Sequence, residues 1–434
     1  MQRANQMRTM LGAVVLAVMF LPSGCKSSKT ATSIDSMVEQ YIRLAVALGE
    51  RDPDSLDFYF GPEGLVAESR RQPPKSADIA KQAASLGELV GKLDQGGMSA
   101  EGKRRAAFLQ MQLNAMRLRA EMLSGATRPF DEEGKTLFGV DAGVDAGQQQ
   151  RAETRKEIAR MLGGSRNPAQ AYSAFERQFV VSPDKVPAVM KAALQECRTA
   201  TLQRVVMPVG ERVEVEYVFH KPWSGFSRYL GGGHSVIQIN MDFPHTVDQI
   251  LTLACHEGYP GHHVFNTLRD QSLVQRDHEQ EWQVQPTFSP QSLVSEAAAS
   301  YAAEIVFTPE ERLHVERDIL FPLAGVDRSK AEQYLKVEGM VDSLDTATPG
   351  IARDYLDGRL EFVRAADALE HETLMEHGET LLLYLNEYRT YMLTYTVGRD
   401  MVRRIVEQGN PSTEVRWQRY VELMKRPVYS LTNY

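Results

Sequence analysis

At 434 residues, with 43% hydrophobic and 24% charged side chains, the chain has a globular composition and the length for one large domain or two to three ordinary ones. Its net charge of −8 and pI near 5.8 count against a nucleic-acid partner, which selects a basic face.

Residues 1–24 read as a signal peptide rather than as fold. Arg3 and Arg8 make a positive n-region, and the apolar run from Leu11 to Leu21 is too short for an ordinary spanning helix. Leu21-Pro22-Ser23-Gly24-Cys25 resembles a bacterial lipobox, in which Cys25 is lipidated and becomes the mature N-terminus; Pro22 stands where an apolar residue is usual. Residues 25–33 follow as a polar tether. The expectation is an exported lipoprotein facing the periplasm and touching the membrane through its anchor alone. Lys26, after the cysteine, favours the outer membrane. Cys197 and Cys255 could bridge in an exported protein. Cys255 falls inside the candidate catalytic helix, however, and reads as a small buried thiol.

From Ile34 onward the pattern is largely helical, read as one domain over 34–434 with an N-terminal helical part (34–209) and a catalytic part (210–434). Met37, Tyr41, Leu44 and Ala45 fall on one helix face before Gly49. Further helices are predicted over 76–93, 100–124, 148–162, 168–179 and 183–206. The Gly- and acid-rich segment 130–147 reads as a loop with short elements. Its Asp141 and Asp145 lack the spacing of a calcium-binding loop and read as a solvated turn. Residues 211–218 alternate apolar and charged side chains, as a half-exposed strand does. A flexible aromatic loop (223–233) and a second strand (235–240) follow, the one clear β region, and helix returns after Thr267. The fold class is mainly α, with a small β-sheet beside the motif helix and a central cleft.

The chemistry concentrates in Ala254-Cys255-His256-Glu257-Gly258-Tyr259-Pro260-Gly261-His262-His263, which holds three of the ten histidines. Imidazole and carboxylate are ligands zinc favours, and a glutamate beside them can act as general base. The stretch resembles the helix-borne H-E-x-x-H signature of zinc peptidases with Pro260 and Gly261 inserted. Thr246 and Gln249 make a capping-box pattern that starts the motif helix. In an unbroken helix His262 would lie about 240° around from His256, and His263 about 10 Å further along. Neither could then share a metal with His256, so Pro260-Gly261 must break the helix. Subtracting the insertion assigns His262 as the second ligand, with His263 as alternative or supporting residue. Glu296, in the alanine-rich run Ser295 to Glu304, is the candidate third ligand, with Glu304 as competitor. Glu257 is the candidate base. Tyr388, Tyr391 and Tyr395 share a helical face, and Tyr395, or else Tyr391, is the candidate donor to an oxyanion.

These residues resemble the domain-of-unknown-function 885 family, largely helical bacterial proteins, many of them exported lipoproteins, related in plan to two-His-one-Glu zinc peptidases. The likeness covers about 231–398. The family motif similar to Ser-Glu-Gly-Trp-Ala-Leu-Tyr reads Ser295-Glu296-Ala297-Ala298-Ala299-Ser300-Tyr301 here, keeping the Glu and Tyr301 but losing Gly and Trp. Tyr395-Thr396-Val397-Gly398 matches a late Tyr-x-x-Gly motif without its preceding Pro-Gly-Gln. The resemblance implies bound zinc (Zn2+), a peptide or peptide-like substrate, and an edge strand, at 235–240, that pairs with the substrate backbone. The expected function is zinc-dependent peptide hydrolysis in the cell envelope. The alternative, motivated by the lost motif residues, is a catalytically inactive zinc-containing lipoprotein that binds peptides or supports assembly.

Overall fold

The structure is a computed structural model and describes residues 34–93, 96–165, 167–376 and 378–425; the signal segment, the tether and Cys25 lie outside these. Among the described residues helix dominates, and the strands fall in two small sheets. The first helix, Ile34–Arg51, buries Met37, Tyr41, Leu44, Ala45 and Leu48 along one face. It packs with helices Ser76–Gly91 and Ala100–Met122 around a first core that also takes in Val284. Ser99 caps the third of these, accepting from the Gly102 N–H at 3.0 Å. A second, larger core runs from Ala115 to Met424 and draws on residues on both sides of Gly210.

The segment 130–147 departs from its reading as a loop. It opens with a helix, Phe130–Leu137, whose Asp131, Glu132 and Glu133 sit in the first turn, where negative charge is favourable. Phe130 and Leu137, seven residues apart, are buried on one face. The Gly-rich remainder is a turn tied by ion pairs, Asp141 to Lys135 at 2.8 Å and Asp145 to Arg151 at 2.5 Å.

Strands β1 (Leu56–Tyr59) and β5 (Val284–Pro286) form an antiparallel pair that the sequence did not announce, being four and three residues long. The other sheet has the order β2-β4-β3, with β2 (Arg212–Val218) parallel and β3 (Gly225–Tyr229) antiparallel to β4 (His234–Asn240). Two expectations change here. The aromatic segment 223–233 contains a strand, because Ser227 and Tyr229 turn inward while Arg228 points out. The strand over 235–240 is central and has both edges occupied, so β2 and β3 are the edge strands, and β3 is the one that lies against the motif segment.

The cysteines also differ from expectation. Cys197, on helix Val186–Leu202, and Cys255 form a disulfide, with Cα atoms 5.6 Å apart. The helix packs along the motif helix and turns the two buried residues toward each other, a pairing hidden by 58 residues of separation. Among the described residues, no helix is long and apolar enough to cross a membrane.

Thiol titration of the denatured chain should therefore release two additional thiols only after reduction. Cys197→Ser should lower unfolding stability by about 4 kcal/mol, the loop-closure value for a ring of this size.

Candidate metal centre

The motif helix starts at the Thr246–Gln249 capping box: the Thr246 N–H donates to Gln249 Oε1 at 3.0 Å, and Thr246 Oγ1 accepts from the Gln249 N–H at 3.3 Å. Helix Val247–Leu253 then widens into a π-type turn over Ala254–Gly258. The Tyr259–Pro260 peptide is cis, and a new helix, His262–Arg269, begins after Gly261. The Gly261 N–H donates to the Cys255 carbonyl at 2.9 Å. A Cβ on Gly261 would stand 1.8 Å from the His256 carbonyl oxygen, so only glycine permits this close approach.

The break puts the His256 and His262 rings 4.8 Å apart and nearly perpendicular. Both aim Nε2 at the Glu296 carboxylate, His256 at 3.4 Å from Oε2 and His262 at 3.3 Å from Oε1. Glu296 belongs to helix Pro290–Ser300, whose small residues allow close packing of helix Val397–Glu407: a Cβ on Gly398 would meet Ala297 and Leu293 at 3.0 Å. Ser295, beside Glu296, pairs with His262 Nδ1 at 3.2 Å, leaving Nε2 to face the site.

A divalent cation fits this donor set. Ligand atoms of His256, Glu257 and His262 lie within 4.8 Å of one another. Two ligands held about 2.0–2.1 Å from one zinc at the tetrahedral angle are about 3.4 Å apart, close to the separations of both imidazoles from Glu296. Glu257 Oε2 and Glu296 Oε2 are buried with no hydrogen-bond partner. Burial pushes the Glu296 carboxyl up, but the two imidazoles outweigh it and hold the group well below the usual carboxylate range. Burial also opposes charge on His262, yet Glu296 and Glu257 raise it to about 9. Glu257 is raised by burial against the pull of both histidines.

His263 faces away from this group. On the restarted helix it lies about 100° around from His262, and both its nitrogens are engaged, Nδ1 with Ser235 Oγ and Nε2 with Glu211 Oε2, each at 2.8 Å. Tyr259 OH also donates to Glu211 Oε2 at 2.7 Å, and Arg198 pairs with Oε1 at 2.7 Å. Burial pushes Glu211 up, but the bonds from His263, Tyr259 and Arg198 prevail and bring it to about 2. Glu304 does not reach the site either, because the helix is interrupted at Tyr301 and Glu304 turns to Arg403 at 2.7 Å. Tyr301 bonds Glu407 and Arg416.

The late tyrosines occupy a 3-10 turn, Arg389–Thr394, and its flanks rather than one helix. Tyr391 OH donates to Glu296 Oε1 at 3.0 Å, whereas Tyr388 donates to Asp54 at 3.0 Å. The Tyr395 ring lies 6.3 Å from that of His256, and its hydroxyl pairs with Tyr384. Two arginines near these tyrosines, Arg389 and Arg399, are paired with Glu133 and Asp342, each at 2.8 Å, and Arg228 on β3 is exposed.

Three contributors carry no motif signal: Glu211, Tyr384 and Asp57. Asp57, on β1, accepts from Thr287 Oγ1 at 2.6 Å. Burial raises its carboxyl to about 7 against that bond, with Glu296 and Glu257 adding to the rise. The four-residue alternation of β1 was too short to place it.

No family model matches the sequence, and no curated protein does. Among solved structures the chain is similar to a lipoprotein candidate from Colwellia psychrerythraea, with a TM-score of 0.47 and 13% identity over 81% of this chain and 68% of that one, too distant to carry a functional assignment.

Zinc titration should separate the adjacent histidines. His262→Ala should weaken binding at least a hundredfold, while His263→Asn should retain it within about tenfold, the smaller end of effects seen for supporting residues. Because Glu211 is held below its ordinary value of 4.5, its stabilising contribution is complete above that pH and is lost as pH falls toward about 2. Glu211→Gln should cost on the order of 3 kcal/mol at neutral pH, and denaturation at graded pH should show that difference shrinking below 4.5.

Proposed function

We propose that this chain is a zinc-dependent peptide hydrolase of the cell envelope, similar in its motif to the domain-of-unknown-function 885 family and anchored through Cys25. The observation that carries the reading is the convergence of His256 Nε2 and His262 Nε2 on Glu296, beside a buried Glu257 whose Oε2 has no partner. His256, His262 and Glu296 would hold the metal. Zinc, when bound, supplies Lewis acidity that polarises a carbonyl and makes water nucleophilic near neutral pH.

The chain's own groups account for the rest. Glu257 takes the proton from the attacking water, and its raised affinity for protons suits it to hold that proton and pass it to the leaving amine. Burial keeps the Tyr395 hydroxyl protonated, so it can donate to the developing oxyanion once it leaves Tyr384. Tyr391 is occupied with orienting Glu296. The free edge of β3 lies beside Glu257, where a Cβ on Gly225 would be 3.0 Å from Oε1, and offers backbone hydrogen bonds to an extended peptide.

A zinc-loaded sample should cleave members of a peptide library, and Glu257→Gln should abolish cleavage while retaining zinc. Tyr395→Phe should lower kcat by about a hundredfold. Cleavage surviving in Glu257→Gln would overturn the mechanism, and a wild-type protein that binds zinc and peptides without cleaving any would be the inactive binding lipoprotein instead.

A further inference from the structure

Four arginines are buried among the described residues: Arg105, Arg119, Arg151 and Arg269. Three meet carboxylates, Arg105 with Glu281 at 2.7 Å, Arg119 with Asp52 at 2.6 Å and Arg151 with Asp145 at 2.5 Å. Arg269 is the most enclosed, at 3% exposure, and its Nε and Nη1 have no hydrogen-bond partner. Its guanidinium carbon sits 4.1 Å from the Phe265 ring centroid and 4.7 Å from that of Trp282. Aromatic faces attract a cation, but they do not accept its in-plane N–H groups. Burial pulls the group down to about 9, with no carboxylate acting to raise it. A buried, unpaired cation is costly to maintain, and the other three show that this protein ordinarily supplies the counter-charge.

Its position relates it to the candidate metal centre. Arg269 ends the helix that His262 begins, seven residues on, hence on nearly the same face and about 10 Å along the axis. Strand β3 follows the same course. Its first residue, Gly225, is beside Glu257, and its last, Tyr229, donates to Asp270, the neighbour of Arg269, at 2.7 Å. An extended peptide on the β3 edge with its scissile carbonyl at Glu257 would reach the Arg269 end about three residues later.

We infer that Arg269 is a carboxylate receptor, a subsite on the motif helix for the C-terminal carboxylate of a short peptide, or for an acidic side chain at the same distance from the scissile bond. The inference rests on reading the site as one that takes peptides. The aromatic pair fixes the guanidinium plane, and the unpartnered N–H groups provide charge-assisted hydrogen bonds that a neutral amide cannot match. Arg389 and Arg399, already paired, are not available for this role.

The test uses the zinc-loaded full chain with Glu257→Gln, which should bind peptides without turnover. Calorimetric titration compares hexapeptides as free acids, as C-terminal amides, and as amides carrying Glu three residues beyond the intended scissile bond. The free acid should bind at least tenfold tighter than the plain amide, and adding Arg269→Met should bring the two within twofold. Tighter binding of the Glu-containing amide than of the free acid would identify a side-chain carboxylate as the natural ligand. Arg269→Lys, which keeps the charge but loses the planar fork, serves if the Met variant does not fold, and should lose at least half of the logarithmic preference. Equal binding of acid and amide, no binding of any peptide, or a preference that survives in the Arg269 variants would overturn the inference and leave a ring-held structural cation. A preference for the acid in a protein whose wild type cleaves nothing would refute the hydrolase reading alone and leave Arg269 as the receptor of a peptide-binding protein.

Discussion

The candidate centre depends on the backbone of Gly261 lying against the carbonyl of His256. Two histidines six residues apart on a regular helix point in different directions. The π-type turn over Ala254–Gly258, the hydrogen bond from Gly261 to the Cys255 carbonyl and the restart at His262 bring them face to face. No side chain could replace the missing one at Gly261, because the space it would need is filled by the carbonyl of the residue that carries the first imidazole. The insertion within the motif is therefore what creates the geometry.

A broken helix needs support on both sides, and the residues adjacent to the candidate ligands provide it. Cys255, next to His256, is bridged to Cys197 on a neighbouring helix. His263, next to His262, is bonded to Ser235 on β4 and to Glu211 just before β2. Ser295, next to Glu296, meets the back of the His262 ring. Each inward-facing group thus has a chain neighbour that fixes it to another element, so ring orientation does not rely on the motif segment alone. This gives the small sheet a structural reason to exist in a helical protein: it supplies the far end of one of these ties.

Much of this could be read from the sequence because it is local. The capping box at Thr246, the need for a break at Pro260-Gly261 and the helical faces of the N-terminal third follow from spacing within a few turns. What could not be read depends on contacts between distant segments. The Cys197–Cys255 bridge spans 58 residues, and Glu211 reaches His263 across 52. Asp57 comes to the site on a strand of four residues whose partner has three. The edge strand was misplaced for the same reason: alternation distinguishes a strand from a loop, but strand order is set by packing across the sheet. The helix Phe130–Leu137 was missed because acid and glycine dominate its composition, although its acids sit where a helix start favours them.

The balance of buried charge gives an independent argument about the site. Elsewhere in the interior, carboxylates meet guanidinium groups: Glu281 with Arg105, Asp52 with Arg119, Glu316 with Arg312. Around the motif, three carboxyls, Asp57, Glu257 and Glu296, act on two imidazoles, and Glu296 is paired with His256 and His262 rather than with a guanidinium. Carboxyls outnumber imidazoles there, and Asp57 and Glu257 are displaced upward, chiefly by burial and further by the neighbouring carboxylates. A dication would offset that excess of carboxyls without requiring either of the two to be neutral. At the other end of the same helix Arg269 is buried with Nε and Nη1 unpartnered, and the adjacent Asp270 is turned to Tyr229 and Gly232 instead. One short helix thus runs from a cluster of buried carboxyls at His262 to an unpaired guanidinium at Arg269. Under the reading proposed above, a metal ion would answer the first and the carboxylate of a bound peptide the second, so the two proposals are consistent with one charge pattern.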